Sequence, residues 1–247
     1  MKLALLADVH ANLEGLRACL EHAREQGADQ HVFIGDLVGY GGDPVAVVEV
    51  VEAHVARGAL VVRGNHDAAV LDDGADTMNK AAEAAVGWTR QQLGPAHRAF
   101  LAGLPLTARL DDLFFVHASA DQPADWTYVS DPLRAEESLR AAQATCVFSG
   151  HVHEQALYYM GQEARAMRFK PVAGVAIPVP AHRQWLAIVG SAGQPRDGNT
   201  AAAYALLDTG RRTLTFHRVP YEWSRAAARV RAAGLPEPLA RRLERGE

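Results

Sequence analysis

Five short apolar segments stop at polar side chains of the same narrow kind. KLALLA runs into Asp8-Val9-His10, HVFIG into Asp36, ALVVRG into Asn65-His66-Asp67, DLFFV into His117, and TCVFSG into His151-Val152-His153. An apolar run of this length bounded by a turn signal reads as a buried strand. Between the first three lie helical patterns. Leu13, Leu16, Cys19 and Leu20 recur at helical spacing, and Asp43-Pro44 offers a cap followed by proline at the first helical position. The resulting β-α-β-α-β order calls for a mostly parallel sheet with helices on its faces. In such sheets ligands bind beyond the carboxyl ends of the strands. The pattern therefore delivers Asp, His and Asn to one edge of the fold.

The rest of the chain changes texture. Residues 76–103 predict two helices broken near Gly94-Pro95, and PLRAEESLRAAQ predicts a helix between DLFFVHA and ATCVFSG. After Glu154, ALYYM, VAIPVP, QWLAIVGS, AAYALLD and TLTFHRV read as short strands separated by Gly, Pro and Asp turns. They predict a second, largely antiparallel sheet, and residues 221–245 an Arg-rich helical end. With 49% hydrophobic residues there is ample material for a core. The expected fold is α/β, with two mixed β-sheets packed as a sandwich flanked by helices. It is read as a single domain over 1–247, with the polar strand ends on the first sheet over 1–154, the second sheet over 155–220 and C-terminal helices over 221–247.

The donors gathered this way are oxygens and imidazole nitrogens with no thiolate among them, a set suited to Mn, Fe, Zn, Co or Ni. Asp8 and His10 are two apart and would share a strand face. A carboxylate at the mouth of a core is costly unless it is paired or coordinates something. Each piece alone has a plainer reading: Asp8 as a helix cap, Gly35-Asp36 as a turn, His117 as a core histidine. Their joint occurrence at successive strand ends selects a metal site. His22, His54 and His97 fall inside predicted helices and, with His182 and His217, are expected to be surface or structural residues.

Asp8-x-His10, Gly35-Asp36-x-x-Gly39, Gly64-Asn65-His66-Asp67, His117 and Gly150-His151-x-His153 together resemble the calcineurin-like metallophosphoesterase family, in the family's order. One departure is Val152, where the family commonly has Thr between the two histidines. The resemblance extends to about Glu154, and the strand-rich remainder suits the family's four-layer fold. It implies two divalent metal ions, manganese first among them. Asp8, His10, Asp36 and His153 would hold one ion, and Asp36, Asn65, His117 and His151 the other. It further implies a metal-bridging hydroxide that attacks phosphorus in line, His66 as general acid, and Asp67 holding the His66 ring, where the plainer reading of Asp67 is a turn or helix cap. Asn12 would either bond a phosphate oxygen or cap the following helix. Arg196, in the Gly-rich stretch GSAGQPRDGN, would either bind phosphate through its guanidinium or form a surface pair. Tyr40 and Gly41-Gly42 would lie beside the pocket, and the helical insertion after Asp67 would form a wall or ordinary packing.

A net charge of −4 with no basic run argues against a nucleic-acid partner. Two cysteines, Cys19 and Cys146, make no disulfide framework and point to a reducing cytoplasm. The apolar N-terminal stretch is too short for a membrane span. The expected activity is hydrolysis of a phosphodiester or phosphomonoester, on a small molecule or a phosphoprotein, with a homo-oligomer left open. The alternative is a non-catalytic scaffold or interaction protein on the same fold, which would have no physical need for seven metal donors at five strand ends.

Overall fold

The two sheets do not divide the chain in sequence order. The computed structural model describes residues 1–71, 78–161 and 165–247. The first sheet begins as β1 (Lys2–Leu6), β2 (Gln30–Ile34) and β3 (Leu60–Val62), all parallel. The second contains β4 (Thr107–Leu110), β5 (Leu113–Val116), β6 (Cys146–Ser149), β7 (Gln155–Met160), β8 (Met167–Phe169) and β10 (Gln184–Val189). The first is completed by β9 (Ala176–Pro178), β11 (Ala202–Asp208) and β12 (Thr213–Val219). The orders are β3-β2-β1-β11-β12-β9 and β4-β5-β6-β10-β7-β8. The fold is thus two mixed six-stranded sheets flanked by helices, as the apolar runs predict.

The assignment of strands to sheets differs from the sequence expectation. β5 and β6, which carry His117 and the His151–His153 pair, belong to the second sheet, while β11 and β12 return to the first, β11 antiparallel to β1 and β12 antiparallel to β11. DLFFV and TCVFSG are buried along their strands, so their composition records burial on two faces and not which sheet they join. The functional edge is therefore shared, with β1, β2 and β3 reaching it from one sheet and β5 and β6 from the other.

Period-two alternation sorts the side chains. Leu3, Leu5, Ile34 and Val62 meet Phe115, Phe148, Trp185 and Phe216 between the sheets. Ala4, Leu6 and Phe33 face outward against α1 (Leu13–Glu25) and α2 (Pro44–Val55), through Leu16, Cys19, Val47 and Val51. On the other outer face, Val116, Val147 and Ile188 pack on Leu139 of α6 (Pro132–Ala142). The two helices expected in 76–103 are α4 (Lys80–Gln92) and α5 (Pro95–Gly103), following the short α3 (Asn65–Ala69); residues 76 and 77 lie outside the described residues. The C-terminal α7 (Trp223–Ala232) and α8 (Glu237–Arg245) pack through Val230, Leu239 and Leu243 against Ala82 and Ala85 of α4 and against Tyr40.

Two strands have no counterpart in the apolar pattern. TARL (β4) and MRF (β8) are edge strands with exposed or half-exposed side chains, so they carry little hydrophobic signal. Both cysteines are free and buried. Among the described residues, no helix is long and apolar enough to cross a membrane.

Candidate metal centre

The donors converge through left-handed backbone and not through a shared strand face. β1 ends at Leu6, and Asp8 and His10 follow with φ of 53° and 48°. Asp36 has φ 52°, and His151 and His153 both have φ 66°. For residues other than glycine this region costs about 1–2 kcal/mol each, and such strain concentrates where function needs it. Cross-loop hydrogen bonds hold it. Asp8 N donates to Gly35 O (3.1 Å), His10 N to Asp36 O (2.9 Å) and Ala11 N to Leu37 O (2.9 Å). Two glycines are required by close approach. A Cβ on Gly64 would fall on the Asp36 backbone and carboxylate, and one on Gly150 on the Asp8 carboxylate.

The seven side chains named as metal donors come together. Asp8, His10 and His153 form one buried group and Asp36, His117 and His151 another, with the ligand atoms of each group within 4.8 Å of one another. Asn65 joins the second group, its Oδ1 lying 3.1 Å from His117 Nε2. Asp36 stands between the groups, its Oδ2 lying 3.3 Å from His117 Nε2 and 3.6 Å from His10 Nε2. Its Oδ1 accepts from His66 N at 2.8 Å. His151 and His153, only two residues apart, serve different groups, the division that the family resemblance implies.

Three imidazoles are oriented by backbone carbonyls. His10 Nδ1 faces Val38 O (3.2 Å), His153 Nδ1 faces Gln194 O (2.6 Å) and His117 Nδ1 faces Ile34 O (2.9 Å). A carbonyl only accepts, so each Nδ1 carries a proton, and in its neutral form each ring turns its Nε2 lone pair inward. The Nε2 atoms of His10 and His153 then lie 3.1 Å apart with no hydrogen between them. Asp8 Oδ1 lies 3.3 Å from His153 Nε2, is buried, and has no hydrogen-bond partner; neither has His151 Nε2. Lone pairs and carboxylate oxygens crowded together away from water demand positive charge at their centre. The donor set fits divalent cations.

The electrostatics agree. Burial pushes His151 down to about 3 and His10 well below the ordinary imidazole value. Burial opposes the charge on Asp36, but His117, His66 and His10 around it hold its carboxyl well below the usual range. His117 goes the other way. Burial works against its protonation, yet Asp36 and Asp8 raise it to about 10, so without metal a proton there supplies part of the missing charge.

His66 is 4% exposed, edge-on to His10 at 4.8 Å and tilted against Tyr40 at 4.4 Å. Burial pushes it to about 4. One of its ring nitrogens also lies within 4.8 Å of donor atoms of His10 and Asp36, forming a third potential group. Asp67 does not hold that ring. Its Oδ1 accepts from Leu37 N (2.9 Å) and Val38 N (3.2 Å) and its Oδ2 from Gly64 N (2.9 Å), so both oxygens clamp backbone. Asn12 is likewise engaged: Oδ1 caps α1 through Gly15 N (3.0 Å), and Nδ2 donates to Gly193 O (2.7 Å) and Tyr221 Oη (3.0 Å). No atom of Asn12 remains for a phosphate. The pair expected to bind substrate is thus split, since Arg196 lies beside the centre with its guanidinium over the Tyr40 ring.

Other neighbours of the centre carry no signal in the sequence. Tyr128 is 51% exposed and stacks on His151 at 3.8 Å, and Trp126 stands edge-on to His117 at 6.0 Å. Both follow β5 in a loop without periodicity, and no motif marks them. Of the remaining histidines, His22 bonds Tyr204 Oη at 2.8 Å and His217 stacks on the same ring, away from the donors.

The family model of the calcineurin-like phosphoesterase superfamily domain matches residues 1–212. The chain is 30% identical, over 98% of its length and 96% of the relative, to the uncharacterized protein MJ0912 of Methanocaldococcus jannaschii. Its fold is similar to a metallophosphoesterase from Sphaerobacter thermophilus, with TM-score 0.88, 33% identity, and 100% and 99% of the two chains covered. It also resembles a hypothetical protein, PH1004, from Pyrococcus horikoshii OT3, with TM-score 0.79, 21% identity and coverage of 100% and 98%. Ordered motifs, mixed sheets and a family match over most of the sequence agree, and the chain belongs to the calcineurin-like phosphoesterase superfamily.

Proposed function

We propose that this protein is a metal-dependent phosphoric ester hydrolase acting on a small phosphodiester or phosphomonoester. Asp8, His10, Asp36 and His153 would hold one divalent ion, and Asp36, Asn65, His117 and His151 a second. Manganese is the first candidate, and Fe, Zn, Co and Ni suit the same donors. The observation that carries this reading is the 3.1 Å approach of two inward Nε2 lone pairs beside the unpartnered Asp8 Oδ1. When bound, such ions supply Lewis-acid charge for a phosphoryl group and make water a nucleophile near neutral pH. The chain's own residues do the rest. Carbonyls of Val38, Ile34 and Gln194 fix the ring orientations, so the centre is organised before substrate arrives. His66, buried beside Asp36 and Tyr40, donates a proton to the leaving oxygen, and an anionic substrate next to it would raise its pKa. Arg196 offers a guanidinium to substrate oxygens. The two free cysteines accord with a reducing cytoplasm.

The test is metal analysis of the purified protein coupled to nitrophenyl monoester and diester hydrolysis with added manganese, before and after chelation. Chelation should abolish turnover and manganese restore it. A homogeneous, metal-loaded preparation that cleaves neither ester would leave the chain as a scaffold on this fold. His66→Ala should retain both metals yet lose about 10²–10⁴ in rate. Alkyl esters, whose poor leaving groups need the acid, should suffer more than nitrophenyl esters. Loss of metal from this variant would assign His66 to the third donor group instead.

A further inference from the structure

The C-terminal helix pair carries six arginines, at 225, 229, 231, 241, 242 and 245. Five have an acidic partner within 4 Å: Arg225 with Glu14, Arg229 with Asp43, Arg231 with Glu237 and Glu244, Arg241 with Glu237, and Arg245 with Glu247. Arg242 has none among the described residues. Its guanidinium instead stands over the Tyr40 ring, 5.7 Å from the centroid. Arg196 does the same from another part of the chain, at 5.8 Å. The Arg196 guanidinium bonds the neutral Gln194 side chain at 3.2 Å, and its Nε is buried with no partner. Tyr40 is itself in contact with the centre, 4.6 Å from the His10 ring and 4.4 Å from the His66 ring. Two guanidinium groups therefore share one aromatic neighbour next to the donors, and among the described residues neither is paired with an acid.

A guanidinium drawn partly out of water without a counter-ion costs free energy. Cation–π contact with Tyr40 recovers part of that cost but leaves N–H donors of the fork unused. Both side chains are positioned by structure that has another purpose. Arg196 is two residues beyond Gln194, whose carbonyl orients His153 and whose amide is tied to Ser191 Oγ at 2.7 Å. Arg242 stands on α8 beside Leu239 and Leu243, which are buried against Val230 and Tyr40. A guanidinium with free N–H donors matches a phosphoryl group in a bidentate manner.

We propose that Arg196 and Arg242 form a second anion subsite around Tyr40, beside the metal centre, and that the substrate carries a second phosphoryl group seated there. This rests on the phosphoester-hydrolase reading and narrows it to substrates with two phosphoryl groups near one another. Arg242 is then a specificity-determining residue supplied by the C-terminal helices, far along the chain from the motif residues it serves.

The test is titration calorimetry on the manganese-loaded protein with three non-hydrolysable ligands, each corrected for binding to free manganese. Propylphosphonate has one anionic end, propane-1,3-diphosphonate has two phosphonates, and 3-phosphonopropionate has a carboxylate at the far end. The diphosphonate should bind about tenfold or more tighter than propylphosphonate. Arg242→Gln should shrink that ratio to about threefold or less. Arg225→Gln, with the same loss of charge on the same helix pair, should keep it, and unchanged thermal melting would show that both variants fold. Equal binding of the diphosphonate and propylphosphonate by the unmutated protein, or a ratio untouched by Arg242→Gln, would overturn the subsite. A gain for 3-phosphonopropionate equal to that for the diphosphonate would overturn its assignment to a phosphoryl group. Failure of propylphosphonate to bind the metal-loaded protein would overturn the hydrolase reading itself, and the subsite with it.

Discussion

Asp36→Asn is expected to lower phosphoester hydrolysis by at least about 10²–10³-fold and to release metal, because one carboxylate faces both donor groups. Asp36 Oδ2 lies 3.3 Å from His117 Nε2 and 3.6 Å from His10 Nε2, while Oδ1 is committed to His66 N at 2.8 Å. In the asparagine variant the side-chain oxygen takes the His66 amide, since only an acceptor fits there. The NH2 group then turns toward the two imidazoles. A bridging negative charge becomes a pair of N–H donors aimed at lone pairs, which satisfies them without a cation. Elemental analysis should show the metal content falling by one ion per chain or more. Thermal stability of the metal-free protein should fall, since there Asp36 is ionised among the imidazoles and holds the His117 proton, a buried pair that the variant breaks. Full metal loading with ordinary turnover in this variant would take Asp36 out of the centre.

The second large effect is on the fold of the site. Asp67→Ala removes the acceptor for three buried amides, those of Leu37, Val38 and Gly64. An abandoned buried donor costs about 1–3 kcal/mol, so the loss should be about 3 kcal/mol or more. For a chain of this size that corresponds to a fall of about 6–12 °C or more in Tm. Activity should fall as well, because the Val38 carbonyl orients His10 and Gly64 packs directly on Asp36. Asp67→Asn should be intermediate, keeping an oxygen for Leu37 and Val38 and turning a donor toward Gly64. If Asp67 worked by holding the His66 ring, Asp67→Asn would leave Tm alone and move only the pH profile. Melting curves of the two variants therefore separate the clamp from the ring-holding role that the motif suggests.

Asp67 marks the limit of what a motif conveys. The residues at the five strand ends are legible because metal donors are chemically narrow, and a run of Asp, His and Asn after buried strands suits little besides a cation. What each polar atom touches is not legible. Asp67 follows His66 directly, and proximity in sequence suggests contact between side chains. The short α3 instead turns the carboxylate back onto the β2 loop and the start of its own helix. Asn12 poses the same ambiguity between helix cap and phosphate contact, and the answer depends on Gly193 and Tyr221, both far along the chain. Tyr128 and Arg242 carry no local signal, since their place beside the centre is fixed by a loop and by helix packing.

Hydrophobic period and ligand chemistry are local properties. The layered α/β class, the helices of the first part and the identity of the clustered donors could therefore be read from the residues alone. Three features could not: which strands share a sheet, that Asp8 and His10 converge through left-handed backbone and not on a shared strand face, and which arginine of the C-terminal helices is left without an acid. These depend on strand pairing, left-handed turns and long-range packing, and none of the three is encoded in the spacing of neighbouring residues.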